Sequence, residues 1–168
     1  MLLWLWLAGA EGDRAAAVTA GVAAVLGLLG AAAISSVVTL PRPFMDGSAV
    51  NYLDHVRDGS FPSDHATFMF ALAFALLLRR PPMLPRVWVP LLAAAVAVGW
   101  ARVFLNTHYP WDIVGGALLG ACAAALATAP PVRPVLRRLD ALGEGSRSLA
   151  IARWRRTGRG PPAKDQEP

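Results

Sequence analysis

Ala101-Arg-Val-Phe-Leu-Asn-Thr-His-Tyr-Pro-Trp-Asp112 places a cation, an imidazole and a carboxylate between two long apolar runs. An ionisable residue beside lipid is costly, so Arg102, His108 and Asp112 at such a seam read as a functional site. Before the seam, Val87 to Ala101 is apolar and broken only by Pro90. After it, Ile113 to Ala129 carries no charge. Gly116 and Gly120 there have three residues between them, a spacing that lets helices approach closely. Tyr109-Pro110-Trp111 turns the chain where aromatic residues favour a membrane interface.

Two further polar islands, Pro41-Arg42-Pro43 and Phe61-Pro62-Ser63-Asp64-His65, interrupt the apolar sequence in the same way. Ala15 to Leu40 has no charge over 26 residues, enough for a spanning helix. Pro41 and Pro43 end it, because proline lacks a backbone donor and disfavours helix in the residue before it. Phe44 to Ser60 reads as a polar loop outside the hydrocarbon, with His55 and Arg57 solvated. Ser63 is placed to cap the next helix, with Asp64 in its first turn. The apolar part of that helix, Ala66 to Leu78, is short for a crossing, and snorkelling of Arg79 and Arg80 would extend it. Met1 to Ala10 is apolar but too short to cross; it reads as the end of a longer helix or as an interfacial segment.

With 168 residues, 55% hydrophobic and 16% charged, the chain fits one domain of the membrane class. The expected fold is all-α, a multi-pass transmembrane helical bundle. Residues 1–129 form its membrane-embedded domain. Residues 130–168 form a basic, largely disordered tail with loose helix near Val135 to Leu142. The net charge of +5 is distributed as a topology signal rather than as a nucleic-acid surface. Arg14, the Arg79/Arg80/Arg86 turn and the tail hold 13 of the 16 basic residues. The positive-inside rule makes that side cytoplasmic and puts all three islands outside, with four alternating crossings. Cys122 has no partner for an intrachain disulfide and reads as a packing residue.

Arg42 and Arg102 are planar, forked cations suited to phosphate. Ser63 and the amides that open its helix form an anion site, and His65 lies within reach of it. Asp112, in the first turn of a Pro-initiated helix, can reach back to orient His108. One imidazole can then act as a nucleophile and the other as a proton donor. Two guanidiniums and helix-end amides would stabilise a transferring phosphoryl group. A His/His/Asp metal site is the rival reading of the same residues; the adjacent arginines would repel a cation, so no metal and no cofactor are expected.

In this order, Arg42-Pro43, then Pro62-Ser63-Asp64-His65, then Arg102 with His108 and Asp112, the islands resemble the signature of the type-2 phosphatidic acid phosphatase family. That family shares its site with vanadium haloperoxidases. The resemblance covers roughly Ala15 to Ala129. It implies a metal-independent phosphatase in which His108 attacks phosphorus and forms a phosphohistidine. By it, Asp112 supports His108, His65 is the general acid, and Arg42, Ser63 and Arg102 bind phosphate. Within the family, Ser-Phe-Pro-Ser-Asp-His-Ala and Thr-His-Tyr-Pro-Trp-Asp look most like bacterial undecaprenyl-diphosphate phosphatases, which act outside the cytoplasmic membrane.

Three positions depart from the family pattern. Ser35 stands where a Lys is expected, Asp64 where the family has Gly, and Ala101 where it has Ser. Asp64 could complement the helix dipole, bind a basic group or tune His65. The bundle is also expected to lack one or two of the usual six crossings at its amino-terminal end. The resemblance implies a lipid phosphate or diphosphate substrate in a bacterial inner membrane; oligomeric state is not legible. The alternatives are a general phospholipid phosphatase, for phosphatidic acid or phosphatidylglycerol phosphate, and a catalytically silent lipid-binding relative. A transporter fits less well, because transport sites lie near the bilayer midplane.

Overall fold

The computed structural model describes residues 1–45, 47, 49–52, 56, 58–132, 134, 136, 138 and 141. These form helices α1 (Leu2–Ala8), α2 (Glu11–Ser35), α3 (Asp64–Arg79), α4 (Trp88–Phe104) and α5 (Pro110–Thr128), with single 3-10 turns at Pro43–Met45 and Pro130–Val132. No strand occurs among the described residues, in agreement with the all-α expectation. By length and composition α2 and α5 are apolar enough to cross a membrane, and α4 is a shorter apolar helix.

The central element is α3, which packs against α5, α2 and α4. Its buried side chains are mostly small: Ala66, Thr67, Ala71, Ala73 and Ala75, with Phe70, Leu72 and Leu76 between them. Ala16, Ala20, Ala23 and Ala24 of α2 and Ala124 and Ala127 of α5 close on Ala71, Leu72, Ala75 and Leu76. Small residues on all three helices let the backbones approach. Helices α3 and α5 approach closely at two glycines. A Cβ on Gly116 would stand 2.8 Å from the Ser63 carbonyl oxygen, and one on Gly120 would stand 2.8 Å from the Thr67 carbonyl. The glycine pair expected from its spacing is therefore a contact that admits no side chain.

Several boundaries differ from the sequence reading. Helix α2 begins at Glu11 rather than Ala15 and ends at Ser35 rather than Leu40. Its start is extended by Asp13, a buried carboxylate that accepts hydrogen bonds from the Ala10 amide at 3.0 Å and the Met83 amide at 2.8 Å. A charged residue reads as outside the helix until its partners are known. Arg79 turns inward instead of snorkelling away: its Nε donates to Oγ1 of buried Thr19 at 3.1 Å. Met1 to Ala10 supplies the short α1, which packs on α2. Pro134, Leu136, Arg138 and Ala141 are helical, consistent with helix near that position; the rest of that segment, the tail from 142 to 168, and His55 and Arg57 lie outside the described residues.

The site lies at one end of the bundle. The end of α2 and the end of α4 meet the starts of α3 and α5 there, and Arg42, Asp58, Gly59 and Ser60 join them.

Candidate active site

Two local structures present the third island. At the end of α4 the Arg102 carbonyl collects the amides of Thr107 (3.1 Å) and His108 (3.3 Å) and the Thr107 hydroxyl (2.8 Å). Asn106 makes the turn possible with a left-handed φ of 56°, which a short polar side chain tolerates. The next helix then starts on Pro110, whose missing amide costs nothing at that position. Asp112, fully buried, accepts the Tyr109 amide through Oδ2 at 2.8 Å. The same oxygen is 3.5 Å from Nδ1 of His108.

A nearer group holds that imidazole. The Ser60 carbonyl oxygen is 2.8 Å from His108 Nδ1. A carbonyl only accepts, so Nδ1 carries the proton and, in the neutral ring, Nε2 keeps its lone pair. Nε2 lies 3.3 Å from Nη1 of Arg42, a distance at which the guanidinium donates to it.

Arg42 is only 5% exposed and is gripped from several sides. Its Nε donates to Asp58 Oδ1 at 2.7 Å, Nη1 to the Thr107 carbonyl at 2.9 Å and Nη2 to the Gly59 carbonyl at 3.1 Å. Three consecutive residues, Asp58, Gly59 and Ser60, thus hold both Arg42 and His108. Ser60 is itself tied back through its amide to the Leu40 carbonyl at 2.9 Å.

These groups face one pocket of about 230 Å³, lined by Ser35, Arg42, Asp58, Gly59, Pro62, Asp64, His65, Arg102 and His108. Five of the seven residues expected at the site from sequence line it: Arg42, Asp64, His65, Arg102 and His108. Ser63 and Asp112 stand behind the wall, fully buried and joined by a hydrogen bond from the Ser63 amide to the Asp112 carbonyl at 3.1 Å. Ser63 does occupy the cap position of α3, but its hydroxyl makes no capping hydrogen bond. Arg102 Nε, Ser60 Oγ, Ser63 Oγ and Asp112 Oδ1 are buried without a hydrogen-bond partner among the described residues. Unsatisfied buried polar atoms are expensive and call for a partner such as a water or a ligand atom. Ser35, where the family pattern has Lys, lies in the pocket wall.

Asp58, Gly59, Ser60 and Thr107 escaped the sequence reading. Three of them act through main-chain carbonyls, which leave no mark in residue type. Only Asp58, the last charge of the polar loop, offered a signal. Chemically, the pocket offers two guanidiniums for an anion, an imidazole nitrogen with its lone pair directed inward and a second imidazole on the opposite helix. That set suits attack on a phosphoryl group.

The profile described as the PAP2 superfamily matches residues 16–132. YbjG of Escherichia coli is 34% identical over 122 residues, which are 71% of this chain and 58% of that protein. Undecaprenyl-diphosphatase BcrC of Bacillus subtilis is 33% identical over 115 residues, 68% of this chain and 58% of that protein. The chain thus spans less than two thirds of the length of these relatives. The crystal structure of Aquifex aeolicus LpxE shares the fold, with a TM-score of 0.63 over 75% of this chain and 72% of that one at 22% identity.

Proposed function

The chain belongs to the PAP2 superfamily, and from that premise we propose that it is a multi-pass membrane phosphatase that hydrolyses a polyprenyl diphosphate at the outer face of a bacterial inner membrane. The observation that carries this reading is the meeting of Arg42 and His108 at 3.3 Å in a pocket that also holds Arg102 and His65. The naming of BcrC as an undecaprenyl-diphosphatase supports the substrate class.

In this mechanism Arg42 and Arg102 hold the terminal phosphoryl oxygens. His108 Nε2 attacks phosphorus, a P–N bond forms, and the P–O bond to the leaving group breaks. His65 gives its proton to the leaving oxygen. A water then loses a proton to His65 and attacks phosphorus, the P–N bond breaks, and inorganic phosphate is released. The Ser60 carbonyl holds the Nδ1–H throughout, and Asp112 stabilises the positive ring of the intermediate. No step needs a metal ion.

The test is phosphate release by the purified protein with a chelator present, from undecaprenyl diphosphate, phosphatidic acid and phosphatidylglycerol phosphate in parallel. Turnover of the polyprenyl diphosphate, lost in His108→Ala, is the expected result. With terminally labelled substrate, His65→Ala should accumulate acid-labile label on His108. Preference for the phospholipids would replace the substrate assignment, and turnover by His108→Ala would remove the mechanism.

A further inference from the structure

A second hollow, about 390 Å³ and apolar, adjoins the phosphate pocket and shares Asp64 and His65 with it. Its other walls are Leu28 of α2, Phe68 and Met69 of α3, and Val98 of α4. It lies between α2 and α4, which both pack on α3. A strip of α3 one turn long is left uncovered between them, with Phe68 39% and Leu28 37% exposed. Phe68 is four residues into α3 from Asp64, Leu28 is seven before the end of α2, and Val98 is six before the end of α4. At 1.5 Å per residue the hollow reaches about 6–10 Å below the pocket.

We propose that this hollow receives the first apolar segment of the substrate, the one or two prenyl units next to the phosphate, and that the enzyme reads no more of the chain than this. The inference rests on the reading above and deepens it. The occupant follows from continuity: a tail tethered to a phosphate held by Arg42 and Arg102 has a high effective concentration at a hollow beginning at His65. A free lipid has no such tether. Two consequences follow. His65 stands at the boundary between the pocket and the hollow, so the leaving oxygen lies on the tail side. The bond that breaks joins the terminal phosphorus to the tail-bearing oxygen, the proton from His65 goes to the tail-bearing product, and phosphate departs on the aqueous side. The rest of the chain lies outside the hollow, so added length brings no added recognition.

The experiment compares dimethylallyl, geranyl, farnesyl and undecaprenyl diphosphates in one detergent, with phenyl phosphate as a tail-free reference. For the wild type, kcat/KM should rise over the first one or two units and then stay level within about twofold. In Val98→Trp and Leu28→Trp, which fill the hollow, the ratio of kcat/KM for farnesyl diphosphate to that for phenyl phosphate should fall at least about tenfold. A steady rise out to the longest chain, or unchanged ratios in both variants, would overturn the inference. If either variant fails to fold, a diazirine on the first prenyl unit replaces it. Label on the peptide carrying Phe68 and Met69, competed by unlabelled substrate, supports the inference. Label on α5, or label there by a diazirine phosphatidylcholine that substrate does not compete, overturns it. If the wild type turns over none of the diphosphates, the functional reading fails; if it turns them over with ratios unmoved, only the hollow's role fails.

Discussion

Nη1 of Arg42 stands 3.3 Å from Nε2 of His108, across 66 residues of sequence. The Ser60 carbonyl on Nδ1 leaves the Nε2 lone pair facing that guanidinium. A phosphate oxygen that takes over the Nη1 donor brings phosphorus next to the same lone pair. In the proposed mechanism Arg42 places the anion against the nucleophile, and its own position depends on Asp58, Gly59 and Thr107.

Arg42→Lys should therefore be severe although it keeps the charge. A lysine has no planar fork and cannot reach Asp58, Gly59, Thr107 and the phosphate together. Phosphate-release kinetics should show kcat/KM down by about 10²–10³-fold, the range for losing one preorganised donor to a developing oxyanion. A loss under about threefold would show that Arg42 does not hold the phosphoryl group.

Asp112→Asn separates orientation from charge. Where a carboxylate alone sets the tautomer of a catalytic histidine, its amide replacement costs about 10⁴-fold. Here the Ser60 carbonyl lies at 2.8 Å and Asp112 at 3.5 Å, so the tautomer should survive. The expected loss in kcat is on the order of 10–100-fold, as for other outer partners of a reactive histidine. A loss near 10⁴ would return the orienting role to Asp112. The Asn oxygen can still accept the Tyr109 amide, so thermal stability should change little.

The same contrast explains what the sequence could disclose. Arg42, His65, Arg102 and His108 were legible because charge is rare in an apolar chain, and the resemblance ordered them. The helices were legible from uncharged runs and from Pro62 and Pro110, whereas α2 stops at Ser35, well before Pro41. Gly116 and Gly120 were visible as a spacing, but their contact with Ser63 and Thr67 needed the fold. The Asp58–Gly59–Ser60 clamp was hidden because backbone carbonyls are the same in every residue. Asp13 and Arg79 were misread because one carboxylate and one guanidinium find partners inside the bundle, a tertiary event that local hydropathy does not register.

Gly116→Ala tests the close approach of α3 and α5. In an exposed helix the change would add about 1 kcal/mol of helix propensity. Here the new Cβ would sit 2.8 Å from the Ser63 carbonyl oxygen, a backbone atom that cannot swing away. Overpacking of this kind costs about 1–3 kcal/mol, so the protein should be less stable, with a lower Tm in detergent. Catalysis should also suffer, because the displaced segment carries Ser63 and His65. An unchanged or higher Tm would mean that the helices part without cost.

Asp13→Ala should do the reverse, lowering stability while sparing the site. It removes the acceptor of the Ala10 and Met83 amides at the far end of the bundle. Leaving buried donors unsatisfied costs about 1–3 kcal/mol. Thermal unfolding should shift down while KM for the lipid diphosphate stays within about twofold of wild type. A changed KM would show that the two ends of the bundle are coupled.

Ser35→Lys probes the missing cation. Ser35 lines the pocket at the end of α2, where its hydroxyl donates to the Ala32 carbonyl at 3.1 Å. The pocket holds two guanidiniums but also the carboxylates of Asp58 and Asp64, so its field is less positive than its arginines suggest. A lysine here would add one positive charge on a flexible stem, partly screened by solvent. A gain of about 1 kcal/mol is reasonable for such an ion pair, close to a fivefold tighter competitive inhibition by inorganic phosphate. The gain should shrink as salt is raised, since the added interaction is partly exposed. An inhibition constant that does not move at low salt would show that the ammonium turns instead to Asp58 or Asp64, and that this pocket binds phosphate through its arginines alone.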